Sequence, residues 1–202
     1  AVATDSDGLL RLASGRVVAS AAESGARSAA AAVPRGDAAA RDVGRYAALL
    51  GDGHLPYVAD GRPGGMPGLA ELTSIAVGLL DDDPDGFLLV VEAGRIDHAG
   101  HDNDIARLVP EVVELERTVG LILSLPGVTG STLVVVTADH ETGGLTVERS
   151  RGAGELPEVS WSTGRHTAAD VPLYATGPGA ERFGDVRHLT DIFYAIRESL
   201  GL

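Results

Sequence analysis

Apolar residues first fall into a helical pattern at Leu69, Leu72, Ile75, Ala76, Leu79 and Leu80, which predicts an amphipathic helix over Leu69–Leu80. The acidic, Pro- and Gly-containing run Asp81-Asp82-Asp83-Pro84-Asp85-Gly86 ends it. Residues 87–91, Phe-Leu-Leu-Val-Val, are continuously apolar, the mark of a strand buried on both faces. A polar loop follows from Glu92 to about Asn103. A second helix is expected over residues 104–124, with Leu108, Val112, Leu115, Val119 and Ile122 on one side. Pro110 either kinks it or marks its true first turn. Residues 132–137 read as a second buried strand. Residues 171–176 read as a third, nearer an edge because of Pro172. Residues 190–200 read as a C-terminal helix with Thr190 as N-cap. Strands alternating with helices predict an α/β fold, a mostly parallel sheet sandwiched by helices. In such folds chemistry sits just beyond the carboxyl ends of the strands.

The first part of the chain is less informative. Residues 20–33 are Ala-rich and fit a weak helix, a tight packing segment or a poorly ordered stretch, and residues 1–33 remain poorly determined. Pro34-Arg35-Gly36 reads as a break, a helix is expected around residues 38–50, and residues 60–68 are dense in Gly and Pro and read as loop. No repeat or linker divides the 202 residues, which fit a single α/β domain.

With 16 basic and 29 acidic residues the net charge is −13, which argues against nucleic acid or an anionic membrane surface as partner. The chain has no cysteine, so disulfides and thiolate-ligated metals are excluded. No apolar run approaches the ~20 residues of a membrane span. The start carries Asp5 and Asp7 without a basic region, so no signal peptide is visible.

The chemistry lies in three loops. After the first strand comes Glu92-Ala93-Gly94-Arg95-Ile96-Asp97-His98-Ala99-Gly100-His101. After the second comes Ala138-Asp139-His140-Glu141-Thr142-Gly143-Gly144. Before the third comes Thr163-Gly164-Arg165-His166-Thr167. Four of the six histidines fall here. Asp and His are the ligands zinc accepts when no thiolate is offered. Clustered charge at the ends of apolar strands is costly unless a cation compensates it. His54 and His188, outside these loops, read as ordinary polar residues.

These three loops, in this order, resemble the metal-binding signatures of the alkaline phosphatase family. Gly51-Asp52-Gly53-His54-Leu55-Pro56-Tyr57 and residues 171–180 extend the likeness, which runs from about residue 34 to the C-terminus. The resemblance implies an alkaline-phosphatase-like fold, present as an incomplete C-terminal part. It implies two zinc ions and one magnesium: Asp97, His101 and His166 on the first zinc, Asp139 and His140 on the second, and Glu92 on the magnesium. His98 falls near where the family binds phosphate. Thr142 sits where some members place a histidine behind the ligands. The implied activity is hydrolysis of small phosphate monoesters, with a homodimer and a periplasmic or secreted location. Paired zinc ions suit this chemistry because they clamp the entering and leaving oxygens of an in-line transfer.

The family's serine nucleophile, bridging Asp and phosphate-gripping Arg lie well upstream of these loops. Thr4-Asp5-Ser6-Asp7 is only superficially like the nucleophile motif and is too close to Glu92. The expectation is therefore a zinc-binding half whose partner is a missing N-terminal part of the same enzyme, with no catalytic nucleophile in the chain. Related phosphodiesterases, sulfatases and phosphomutases share such a metal core and remain an alternative, as does an inactive metal-binding fragment.

Overall fold

The computed structural model describes residues 50, 53–63, 66–81, 83–126 and 128–202, and the backbone of three short strands nearer the start. The chain falls into two compact units, Ala1–Ala93 and Gly94–Leu202. In the first, β1 (Ala3–Thr4), β2 (Leu9–Arg11) and β3 (Val17–Ser20) form an antiparallel meander. Ser6 and all but the last residue of the helix expected around residues 38–50 lie outside the described residues.

Helix α1 spans Leu69–Leu80, the predicted bounds. Gly68 starts it and Leu80 is buried at its end. The expected strand at residues 87–91 is not formed: the segment has no ladder partner among the described residues, and Val90 is 71% exposed. An apolar run becomes a buried strand only where neighbouring strands flank it, and that pairing is not a local property.

The second unit opens with α2 (Arg95–His101), where a loop was expected. Asp104 then caps α3 (Ile105–Ser124), its carboxylate accepting from the Ala106 and Arg107 amides at 3.0 and 3.1 Å. The helix continues through Pro110. Its most buried residues are Glu111, Glu114 and Thr118, whereas Val112 of the expected apolar stripe is exposed. Thr118 returns its hydroxyl to the Glu114 carbonyl, which satisfies a buried polar group within the helix.

A short helix α4 (Val128–Ser131) leads into β4 (Val134–Thr137). This strand pairs antiparallel with β9 (Leu173–Thr176), Val134 opposite Thr176 and Thr137 opposite Leu173. The pairing differs from the parallel neighbours expected of the alternating pattern. Pro172 falls one residue before β9, where its missing N–H costs no ladder bond.

Inside the excursion, β5 (Glu141–Thr142) pairs with β8 (His166–Thr167), and β6 (Thr146–Arg149) pairs with β7 (Glu158–Ser160). Arg149 and Arg151 both bond Glu158 on the outer hairpin. After β9, a 3₁₀ segment (Ala180–Asp185) buries Phe183 beneath α5 (Leu189–Ser199), which buries Ala195. The α5 N-cap is His188 rather than Thr190. The Asp191 carboxylate accepts the His188 and Arg187 amides at 2.9 and 3.1 Å, so it reaches back to the two residues just before Leu189. Among the described residues no helix is long and apolar enough to cross a membrane.

Candidate metal centre

Helix α2 places Asp97 and His101 four residues apart, hence on one face. The pairing of β5 with β8 sets His166 opposite Thr142. Thr142 in turn donates to Asp97 Oδ1 at 2.6 Å, so the third loop meets the first through the second. Gly100 makes the approach possible, because a Cβ there would lie 3.1 Å from both the Thr142 Cβ and its methyl.

Asp97, His101 and His166 form one group of potential ligands. Asp97 Oδ1 lies 3.4 Å from His101 Nε2 and 3.5 Å from His166 Nε2, and the two nitrogens are 3.0 Å apart. A tetrahedral ion with bonds of about 2.0–2.1 Å spaces its ligands about 3.3–3.4 Å apart. The triangle therefore has the size of one face of a zinc coordination sphere. Its chemistry fits as well. His101 Nδ1 faces the Gly164 carbonyl at 2.9 Å and can only donate to it, which leaves Nε2 as a lone pair. Lone pairs and a carboxylate oxygen at such distances repel one another unless a proton or cation lies among them.

His140 stacks on His166 with centroids 3.5 Å apart and planes at 19°. Its Nε2 lies 3.3 Å from Asp139 Oδ2, again a zinc-sized separation. The Asp139 side chain is 87% exposed and lies outside the three-ligand group. Half-buried His98 faces Arg95, whose Nη1 is 3.1 Å from His98 Nδ1. A guanidinium only donates, so Nδ1 accepts and the ring carries its proton on Nε2. Glu92 is exposed and belongs to the first unit.

Burial pushes the Asp97 carboxyl up, but the Thr142 hydroxyl and the neighbouring His101, His140 and His166 outweigh it and hold the group below its ordinary value. The carboxylate is thus kept ionised, the form a metal ion would need.

Three supporting residues escape a reading by ligand type. Glu141 accepts the Gly144 and Leu145 amides at 3.0 and 3.2 Å and the Thr167 hydroxyl beside His166. Gly143 has φ +95°, and its carbonyl takes the Ser162 and Thr163 amides, both at 3.1 Å. With its amide nitrogen facing them, Asn103 donates to the Gly100 and Thr163 carbonyls at 3.0 and 2.9 Å. The Gly-Gly pair after Asp-His-Glu-Thr was the available signal for the sharp turn.

The architecture is shared with solved metalloenzymes. Alkaline phosphatase from the Antarctic bacterium TAB5 matches with a TM-score of 0.71 and 28% identity, over 91% of this chain and 52% of that one. A variant of that enzyme was solved with magnesium in its M3 site. Alkaline phosphatase H of Pseudomonas aeruginosa is 34% identical over 157 residues, covering 70% of this chain and 33% of that protein. Alkaline phosphatase 3 of Bacillus subtilis is 28% identical, covering 71% of this chain and 46% of that protein. The alkaline phosphatase family model matches residues 38–158, and the chain belongs to that family. It spans about half the length of such relatives or less.

Proposed function

We propose that the chain supplies the zinc-binding half of a metal-dependent phosphate monoesterase, an alkaline phosphatase. The observation that supports it best is the Asp97–His101–His166 triangle, whose spacing and donor set suit a first zinc. Asp139 and His140 are its counterparts for a second zinc, and Glu92 is assigned to a magnesium, an oxygen-seeking ion. Bound zinc would supply Lewis acidity to phosphoryl, entering and leaving oxygens. The protein's own residues orient that chemistry. Gly164 fixes which His101 nitrogen faces the site, and Arg95 fixes the His98 tautomer with its proton on Nε2. The substrate is a small phosphate monoester. Homodimer formation and a periplasmic or secreted location belong to this reading, as does a nucleophile from the part of the family pattern upstream of these loops.

Zinc titration by calorimetry tests it. The 202-residue chain should show one tight site, and His166→Ala should abolish it. Unchanged affinity in that variant would overturn the ligand assignment.

A further inference from the structure

Thr142 stands between the two candidate shells. Its hydroxyl lies 2.6 Å from Asp97 Oδ1 and 3.2 Å from His140 Nδ1. A threonine hydroxyl has one proton and two lone pairs, and an ionised carboxylate only accepts. The short contact is a charge-assisted bond, so the proton goes to Asp97. The contact to His140 must then run the other way, with Nδ1–H as donor. That leaves His140 Nε2 as an acceptor, 3.3 Å from Asp139 Oδ2.

Nε2 and Asp139 Oδ2 then face each other as two acceptors, an unfavourable contact unless a cation lies between them. Without Thr142, the neutral ring would carry its proton on Nε2 and donate it to Asp139, blocking the ligand atom. We propose that Thr142 is a positioning residue: one hydroxyl oxygen orients Asp97 and fixes His140 as the Nδ1–H tautomer, tying the two ligand shells together. The inference rests on the zinc reading for its purpose, but its central statement concerns only this chain's protons. Such partners behind the ligands typically carry 10–100-fold in metal affinity.

The packing of Thr142 separates this role from a merely structural one. Its Cβ and methyl close on Gly100. Thr142→Val keeps the methyl and removes the hydroxyl, whereas Thr142→Ser does the reverse. The experiment is ¹⁵N NMR of imidazole nitrogens in the metal-free 202-residue chain at mildly alkaline pH. Wild type and Thr142→Ser should show His140 protonated on Nδ1, and Thr142→Val should shift it to Nε2. Zinc affinity should fall about 10–100-fold in Thr142→Val and recover in Thr142→Ser. An Nε2–H ring in wild type overturns the proposal even if the valine variant does not fold. So does an unchanged tautomer in Thr142→Val, or an affinity lost with serine and kept with valine. A wild-type chain that binds no zinc while showing the Nδ1–H tautomer would sink the zinc reading and leave the hydroxyl assignment standing.

Discussion

Glu141 and Thr142 are adjacent in β5 yet serve different parts of the centre. Thr142 reaches the candidate ligand Asp97, while Glu141 gathers two amides and the Thr167 hydroxyl into one carboxylate. Burial raises the Glu141 carboxyl, but Thr167, Leu145, Gly144 and His140 outweigh it, so its folded value lies below the ordinary 4.5. A lowered folded value contributes stability above the unfolded value and loses it as pH falls through the folded one. Glu141→Gln should therefore be less stable than wild type at neutral pH. The gap should narrow as pH drops below 4.5, read as urea midpoints across the series. A gap independent of pH would assign the loss to geometry alone. Gly143 offers a sharper test. At φ +95° a Cβ would sit 2.5 Å from the Trp161 ring, and an aromatic ring cannot yield as a flexible chain end would. Gly143→Ala should cost at least the ~1–3 kcal/mol of a strained backbone, measured by the same unfolding.

At the scale of elements, legibility in the sequence followed periodicity. Leu69–Leu80 has enough apolar positions at helical spacing to define itself, and α3 begins where Asp104 offers a cap. The sequence predicts loop at helix α2 because its seven residues include Gly100 and three polar side chains, Asp97, His98 and His101, too short and too mixed for a helical pattern. What holds it is a tertiary bond from Thr142, invisible in local sequence. The apolar run at residues 87–91 failed in the opposite way. Its composition suits a strand, but no neighbour pairs with it among the described residues. The candidate ligands stand out in the sequence because Asp and His recur in three loops. Their supports, Glu141 and Asn103, carry no such signature. The Asp104 cap gives a prediction at this scale. Asp104→Ala should cost about 1 kcal/mol, within the usual 0.5–2, as a lowered thermal midpoint. Asp104→Asn and Asp104→Ser should retain most of it. Equal losses in all three would mean that the carboxylate matters through charge rather than as a cap.

At the scale of the whole molecule, the proposed phosphatase reading sets a dianionic ester against a chain of net charge −13. Bound cations resolve that conflict, since they set the local field whatever the surface carries. Activity then depends on how many parts of the reaction are present together. The second unit brings Asp97, His101 and His166 into one triangle and His140 against it. The family resemblance places the serine nucleophile, the bridging Asp and the phosphate-gripping Arg upstream of these loops. The chain spans 52% of the TAB5 enzyme and 46% of the Bacillus relative. Bound zinc would supply Lewis acidity, but without a positioned nucleophile in the chain only slow hydrolysis is expected. The 202-residue chain should therefore hydrolyse p-nitrophenyl phosphate far below the ~1–10³ per second typical of enzymes. The residual rate should require added zinc, disappear with chelator and fall in His101→Ala. Supplying the upstream part of such an enzyme should raise the rate by orders of magnitude. Enzyme-like turnover by the chain alone would overturn the half-site reading, and its loss in Ser6→Ala would then identify Ser6 as the nucleophile.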